Sequence, residues 1–281
     1  MSFLVLSSLL ALVVGTGLLV NNALILILLM EASMFVFLIM IYEYKCVGLS
    51  VPGFKYFFSQ TLGSMMLLLG VVVLGIYSLE GSSFAPVLWA GGLSAKLGLW
   101  PMHFWVVPVC LELPYPLLGV LGVPMKVLPL SLLMSVSNQV SSEPLRMVLF
   151  SFGLISMWVG LGLGLGCSAI RGVVGASSIT HSGWFVFAVN TPYFALYFLL
   201  YSFTLMFTLT GLVSWHPSVA SVGLVSLAGL PPFPVFFGKM LVVSSLASWE
   251  FMFFLAPALV TSVLSLFYYL KFSFSFYLWK P

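Results

Sequence analysis

Charged residues are scarce along this chain of 281 residues, and aspartate does not occur at all. Asp, Glu, Lys and Arg make up only 5% of the residues, whereas a soluble globular domain carries roughly 25%. Hydrophobic types account for 62%. Because so few polar side chains cannot cover a surface that faces water, most of the surface must face lipid. The composition therefore excludes an ordinary soluble domain.

Clusters of basic residues and of cysteines are also missing. The formal net charge is only +3, which provides no patch for binding nucleic acid. Cys46, Cys110 and Cys167 lie far apart and form no CxxC pair, so they predict no disulfide framework, no zinc site and no iron–sulfur cluster. The sequence contains no GxGxxG motif and no P-loop, so we expect no nucleotide site. The cysteines are expected to be small, buried apolar residues.

Long apolar runs dominate the rest of the sequence. A membrane-crossing helix needs about 20 apolar residues, so the length allows about ten crossings. The runs are continuously apolar, which favours helices over the alternating strands of a barrel. We therefore predict an all-α, polytopic bundle that forms one transmembrane domain over 1–281, its first run being a crossing and not a signal peptide. The predicted segments are 3–20, 23–42, 56–77, 84–105, 115–137, 147–166, 172–188, 193–215, 219–246 and 251–270.

Prolines interrupt two of these segments. The fourth runs into Trp100-Pro101 and then Val107-Pro108, and the ninth contains Gly229-Leu230-Pro231-Pro232. Proline removes a backbone donor, and hydrocarbon tolerates such a break only against protein or a water-filled cavity. A simple kink is the alternative. Because each interrupted segment also carries a lysine, we predict two broken helices of the kind that transporters place at their binding sites.

The charges between the segments predict the orientation of the bundle. One face holds Lys45, Lys55, Arg171, Lys271 and Lys280, and the opposite face holds Arg146, Glu143, Glu80 and Glu250. Lysine and arginine collect on the cytoplasmic side of membranes. We therefore expect both termini on the cytoplasm-like, or matrix, side.

Four charged residues fall inside apolar segments: Glu31, Lys96, Lys126 and Lys239. A charge at the centre of a membrane costs about 2.5–3.5 kcal/mol, so such residues usually face the interior of the bundle and have a function. Buried lysines can exchange protons, and a change of charge on one group alters its neighbours. These properties favour a proton relay. The alternatives are lysines that snorkel to the interface and a Glu–Lys pair that only sets the helix register.

His181 lies in the seventh segment, within SSITHSGW. A histidine can pass protons near neutral pH. It can equally be a packing residue satisfied by neighbouring Ser or Thr hydroxyls. Both interpretations stay open, and His103 and His216, which we place at the interface, receive no role.

Four sequence motifs resemble the NADH dehydrogenase subunit 2 family, in that family's order. KLGLWPMHFWVVPV at 96–109 resembles KLGxxPFHFWxPEV, and SSITHSGW at 177–184 resembles SSITHxGW. LAGLPPFPVFFGK at 227–239 resembles LxGLPPxxGFxxK, and KYFFSQTLGSMMLL at 55–68 fits the helix after the family's glutamate-bearing helix. The chain departs from the pattern at 107–109, where the family's carboxylate is absent and Glu112 is out of register.

The resemblance implies an antiporter-like subunit of respiratory complex I in the mitochondrial inner membrane. Its fold would be two inverted repeats, roughly 1–137 and 147–270, each with a broken helix. Glu31 and Lys96 would form the coupling pair, Lys126 the central relay lysine, and Lys239 would lie toward the exit or the neighbouring subunit. NADH, FMN, iron–sulfur clusters and ubiquinone would be bound by other subunits, which together with lipid would be its partners.

We therefore expect a proton-translocating membrane subunit of NADH:ubiquinone oxidoreductase that performs no redox chemistry itself. Two other functions remain open at this point. One is an independent secondary cation/proton antiporter that uses the same residues, and the other is a structural assembly subunit.

Overall fold

The computed structural model describes residues 3–44, 50–76, 84–139, 143–247 and 252–278, and all regular structure within these ranges is helical. Several charges used to predict orientation lie outside the described residues, namely Lys45, Glu80, Glu250 and Lys280, as does Cys46. The helices are α1 Phe3–Leu18, α2 Ala23–Glu43, α3 Ser50–Ile76, α4 Phe84–Leu97, α5 Val106–Glu112, α6 Tyr115–Gly122, α7 Pro124–Gln139, α8 Glu143–Gly166, α9 Ile170–Val189, α10 Phe194–Val213, α11 Pro217–Ala228, α12 Pro234–Leu246 and α13 Met252–Leu278.

These helices confirm the all-α prediction. Among the described residues, 7 helical stretches are long and apolar enough to cross a membrane, and shorter apolar helices accompany them. The fourth predicted segment forms α4 only as far as Leu97, and α5 follows the proline-containing break from Val106. The ninth is divided into α11 and α12, as the prolines indicated. The first break begins earlier than Trp100-Pro101, because α4 already ends at Leu97.

The fifth predicted segment is also interrupted. Its helix α6 ends at Gly122, and α7 begins at Pro124 after Val123. Pro124 has no backbone N–H, so it cannot continue the hydrogen-bond ladder of α6. This interruption was not predicted, because a single proline in an apolar run also fits an uninterrupted, kinked helix.

Two other helices differ from their predicted bounds. Helix α3 begins at Ser50 and includes Pro52, since proline is tolerated in a first helical turn. Helix α13 continues past Lys271 to Leu278, although we ended that segment at the lysine. A partly solvated lysine at the end of a crossing does not stop a helix, because its long side chain reaches the interface.

Helix α9 lies at the centre of the bundle. Its residues are buried from Gly172 to Val189, whereas the other long helices each expose a face. Small residues allow α8 to approach it closely: a Cβ added to Gly160 would lie 2.6 Å from Thr180 Cγ2, and one added to Gly183 would lie 2.9 Å from Ser156 Oγ. Glycine commonly permits such close helix contact in membranes. The central helix thereby presents side chains to both broken helices.

Candidate functional site

Glu31 of α2 and Lys96 of α4 form an ion pair. The distance between Lys96 Nζ and Glu31 Oε1 is 2.6 Å. The lysine side chain is 2% exposed and the glutamate side chain 23%, so the pair extends from the interior toward the edge of the bundle. Lys96 is also in the last turn of α4. The carboxylate of Glu31 therefore stabilises this buried ammonium group.

The break after α4 satisfies its exposed carbonyls with specific donors. Gly98 has a φ of 70°, a left-handed conformation that glycine adopts without strain. The backbone N–H of Leu99 then turns back to the Ser94 carbonyl at 2.8 Å. Trp105 Nε1 donates to the Ala95 carbonyl at 3.1 Å. The break is thus a defined structure in which the position of Lys96 is fixed.

Lys126 lies near the start of α7, just after the interruption at Val123. Its Nζ donates to the Ser178 carbonyl at 2.9 Å and to Ser182 Oγ at 2.8 Å, both on α9. The rings of Phe185 and Tyr201 have their centroids 5.9 and 5.8 Å from the same nitrogen. Such aromatic faces attract a cation. Lys126 is buried, which excludes a snorkelling position.

His181 also lies on α9 and is fully packed. Its Nδ1 is 2.9 Å from Tyr197 Oη, and its ring centroid is 4.7 Å from that of Tyr201. The side-chain partner is therefore a tyrosine of α10, where the packing alternative had named Ser or Thr. Lys126 and Lys239 both contact α9 within one helical turn of His181.

Lys239 of α12 reaches back across the second break. Its Nζ is 3.4 Å from the carbonyl of Ala228, the last residue of α11, and 5.6 Å from the Trp184 ring centroid. Gly229, which follows α11, has a φ of 79°. Within the described part of the chain, Lys239 forms no ion pair. Its charge is accommodated by a helix end and an aromatic face.

Other charged contacts lie at one end of the bundle. Lys55 Nζ and Glu112 Oε1 are 3.0 Å apart and well exposed. The Arg171 guanidinium carbon is 5.0 Å from the Tyr115 ring centroid. Because Glu112 ends α5 and Tyr115 begins α6, Lys55 and Arg171 lie near the same end of the bundle.

The remaining cysteines and histidines form no cluster. Among the described residues, no group of three or more His, Cys, Asp or Glu side chains could hold a metal ion. Cys110 is free and buried, as predicted, and Cys167 is free and half-buried. His216 precedes α11 and is exposed. His103, which we had placed at the interface, is instead buried within the first break.

Several residues around the lysines were not predicted. Ser178 and Ser182 are four residues apart on α9, and this spacing, present in the SSITHSGW motif, was a usable signal. Tyr197 and Tyr201 of α10 have the same spacing, but α10 contains so many aromatic residues that its pattern is also typical of a lipid-facing helix.

Comparison with known proteins identifies the family of this chain. The sequence model described as "NADH:quinone oxidoreductase/Mrp antiporter, TM" matches residues 20–216. NADH-ubiquinone oxidoreductase chain 2 of Albinaria caerulea is 34% identical over 225 residues, which cover 79% of this chain and 72% of that protein. The chain belongs to this family. Chain 2 of Canis rufus is 28% identical over 246 residues, which cover 79% of this chain and 70% of that protein.

The fold agrees with a solved structure. A chain in respiratory complex I from Thermus thermophilus with bound Aureothin superposes with a TM-score of 0.84 and 23% identity, covering 97% of this chain and 71% of that chain. The region that matches the family model contains Glu31, Lys96, Lys126 and His181, whereas Lys239 lies beyond it. The matched region therefore spans the positions of most of the candidate site residues.

Proposed function

We propose that this chain is a proton-translocating membrane subunit of NADH:ubiquinone oxidoreductase, respiratory complex I. The observation that carries the proposal is the set of buried ionisable groups, namely the Glu31–Lys96 pair and, around α9, Lys126, His181 and Lys239. Membership of the chain 2 family supports the assignment to that complex. Ionisable residues within a membrane are costly and usually mark an ion pathway.

The Glu31–Lys96 pair would couple the chain to events elsewhere in the complex. Glu31 is the more exposed partner, so a charge change in a neighbouring subunit would act on it first. If its carboxylate is drawn away, the Lys96 ammonium loses the counter-charge that stabilises it in the interior. The proton on Lys96 can then move to the other groups of this set.

Lys126, His181 and Lys239 would continue the transfer. None of the three has a carboxylate partner within the described residues, so no counter-charge offsets the repulsion between them when they are protonated. Like charges in a low-dielectric interior repel strongly. Protonation of one group therefore disfavours protonation of the next, and a charge shift at Lys96 is transmitted toward Lys239.

We further propose that the chain consists of two inverted repeats, 1–137 and 147–270, in the mitochondrial inner membrane with both termini in the matrix. The breaks support the repeats, because each begins at a glycine of positive φ, Gly98 or Gly229. The shared end of Lys55 and Arg171 supports the orientation. NADH, FMN, iron–sulfur clusters and ubiquinone are assigned to other subunits.

Native electrophoresis of the source membranes tests this proposal. The chain is expected to migrate with a very large assembly that oxidises NADH in the gel. Migration as a small free species would contradict membership of the complex and favour an independent secondary cation/proton antiporter. Full pumping after neutral replacement of the four buried charges would instead identify a structural assembly subunit.

A further inference from the structure

Gln60 of α3 carries a buried amide that the proposed function does not use. The residue lies in the KYFFSQTLGSMMLL motif and is 4% exposed. Its Nε2 has no hydrogen-bond partner within the described structure. Buried polar groups are almost always hydrogen-bonded, and an unpaired amide donor in the interior is unfavourable. The amide therefore needs an acceptor within reach of its side chain.

The packing of α2 on α3 places Glu31 beside Gln60. The two helices pack together and are antiparallel, because their facing residues run in opposite order. The rings of Phe35 on α2 and Phe57 on α3 have their centroids 6.5 Å apart. Residues three or four apart share a helix face. From this aromatic contact, one turn back along α2 leads to Glu31, and one turn forward along α3 leads to Gln60.

The packing of α4 and α5 on α3 leads to the same place. A Cβ built on Gly63, one turn after Gln60, would lie 3.3 Å from Lys96 Cγ. The ring of Tyr56, one turn before Gln60, has its centroid 5.4 Å from that of Trp105, at the end of the first break. Gln60 therefore lies on the face of α3 that borders the Glu31–Lys96 pair.

The Glu31 carboxylate has acceptor sites to spare. Among the described contacts it is bonded through Oε1 alone, to Lys96 Nζ. A carboxylate has two oxygens with about four lone-pair sites. A hydrogen bond from a neutral donor to a charged oxygen is about twice as strong as one between neutral groups. Gln60 and Glu31 thus carry complementary groups on facing turns of two packed helices.

We propose that the Gln60 amide is a second holding point for the Glu31 carboxylate, which turns toward it when the pair with Lys96 opens. Gln60 is then a positioning residue that donates through Nε2 and exchanges no proton itself. With the carboxylate held by a neutral group, the Lys96 ammonium has lost its counter-charge and gives up its proton more easily. This role in coupling rests on the proposed function, whereas the hydrogen bond between Gln60 and Glu31 does not.

Electron microscopy of the assembled Lys96→Met complex tests the holding point. The ammonium is absent in this variant, so one oxygen of Glu31 should lie within hydrogen-bond range of Gln60 Nε2, about 2.7–3.2 Å. When Gln60→Met is added to Lys96→Met, the same carboxylate should leave that position. A Glu31 carboxylate directed away from Gln60 in the single variant would overturn the inference, and so would an unchanged position in the double variant.

Gln60→Met tests the coupling role, because methionine has nearly the shape of glutamine without its amide. In complexes reconstituted in vesicles, we expect NADH-driven proton uptake to fall about tenfold, the effect of losing one hydrogen bond to a charged group. NADH oxidation with an artificial electron acceptor should be unchanged, whereas a merely structural role would lower it together with pumping.

Ser64→Ala is the matched control for this variant. Ser64 lies one turn after Gln60 on the same face, and its described hydrogen bonds go to the Gln60 and Thr61 carbonyls of α3 itself. Its loss should therefore leave pumping unchanged. Full pumping by Gln60→Met, or an equal loss in both variants, would contradict the coupling role.

The inference and the proposed function can fail separately. If Lys96→Met pumps fully, the proposed function fails, and a Glu31–Gln60 hydrogen bond in that variant would still support the holding point. If Lys96→Met pumps poorly but its Glu31 carboxylate is directed away from Gln60, the holding point fails and the proposed function stands.

Discussion

The two broken helices place a lysine at the same kind of location by different routes. Lys96 is in the last turn of α4, before the first break, and its ammonium is paired with Glu31 of α2. Lys239 follows the second break in α12, but its side chain reaches back to the last carbonyl of α11. Both half-helices end at a glycine with positive φ, Gly98 or Gly229. A lysine is therefore associated with the C-terminal end of a half-helix in each half of the chain, Lys96 by its place in the helix and Lys239 by its side-chain contact.

The two locations differ in their counter-charge. Lys96 has Glu31 at 2.6 Å, whereas Lys239 has a 3.4 Å carbonyl contact and the face of Trp184. A carboxylate that can move provides a switchable interaction, while a helix end and an indole ring are fixed. The same kind of broken helix can therefore hold a lysine whose counter-charge can move, as at Lys96, or a lysine whose partners are fixed, as at Lys239.

The largest effect on proton pumping is expected from removing the Lys96 ammonium. Lys96→Met should reduce proton pumping by roughly a hundredfold, because it removes a group that exchanges the proton directly. Pumping is measured as NADH-driven acidification in reconstituted vesicles, alongside NADH oxidation with an artificial electron acceptor. Lys55→Met is the matched control, since Lys55 is exposed and pairs with Glu112 at one end of the bundle. A Lys96→Met complex that pumps like the control would exclude a relay role for Lys96.

Removing the Glu31 carboxylate should leave Lys96 without a counter-charge, as Lys239 already is within the described residues. Glu31→Gln leaves Lys96 with a neutral partner, and breaking a buried ion pair typically destabilises a protein by about 3–5 kcal/mol. Because Glu31 is 23% exposed, water offsets part of that cost. We expect weaker coupling of NADH oxidation to pumping and a lower melting temperature of the complex. Glu112→Gln should change neither property, and an equal response of the two variants would contradict the assignment.

Substitution by alanine should destabilise the protein to different extents at Gly98 and at Gly229. An L-residue in the left-handed region costs roughly 1–2 kcal/mol, so both Gly98→Ala and Gly229→Ala should lower stability. At Gly98 the new methyl group would also overlap Val106 Cγ2, whereas at Gly229 the nearest atom is the flexible end of Lys239, at 3.2 Å. Gly98→Ala should therefore be the more destabilising substitution in thermal unfolding. Gly162→Ala, where no atom lies within 4 Å, is the control, and the reverse order would argue against these two break structures.

The smallest effect is expected at the aromatic face beside Lys239. Trp184→Leu removes the ring 5.6 Å from Lys239 Nζ, and such contacts contribute about 0.5–2 kcal/mol. A severalfold loss of pumping is expected. Trp184→Phe keeps an aromatic face and should retain more activity than Trp184→Leu. Equal pumping by the two variants would show that ring volume, and not its charge distribution, is what matters.

Much of the fold could be predicted from the sequence, because lipid imposes strong limits. Continuous apolar runs can only be helices, and prolines marked the divisions of the fourth and ninth segments. The cost of burying charge singled out Glu31, Lys96, Lys126 and Lys239 as interior residues, and the three lysines are indeed buried. The burial of these lysines follows from hydropathy alone, but their roles remain predictions.

The contacts around the lysines could not be predicted, because they join distant parts of the chain. Nothing near Lys126 in the sequence indicates that Ser178 and Ser182 accept its hydrogen bonds across 52 and 56 positions. The direction of Lys239 was equally hidden, since its side chain crosses a break to reach Ala228. Sequence patterns describe which face of a helix is polar, but the neighbour of that face depends on how the helices pack.

The burial of α9 has a consequence for how the protein is made. Of the helices that could cross a membrane, Ile170–Val189 is the most enclosed, at 94%, and it has the lowest mean hydropathy, 1.2. Its serine, threonine and histidine side chains are polar and are not stabilised by contact with lipid. The isolated helix would therefore partition weakly into a bilayer. Insertion of α9 should therefore depend on helices already in place, such as α8, which packs along it. We therefore expect α9 to enter the membrane against helices that are already inserted and not directly into lipid.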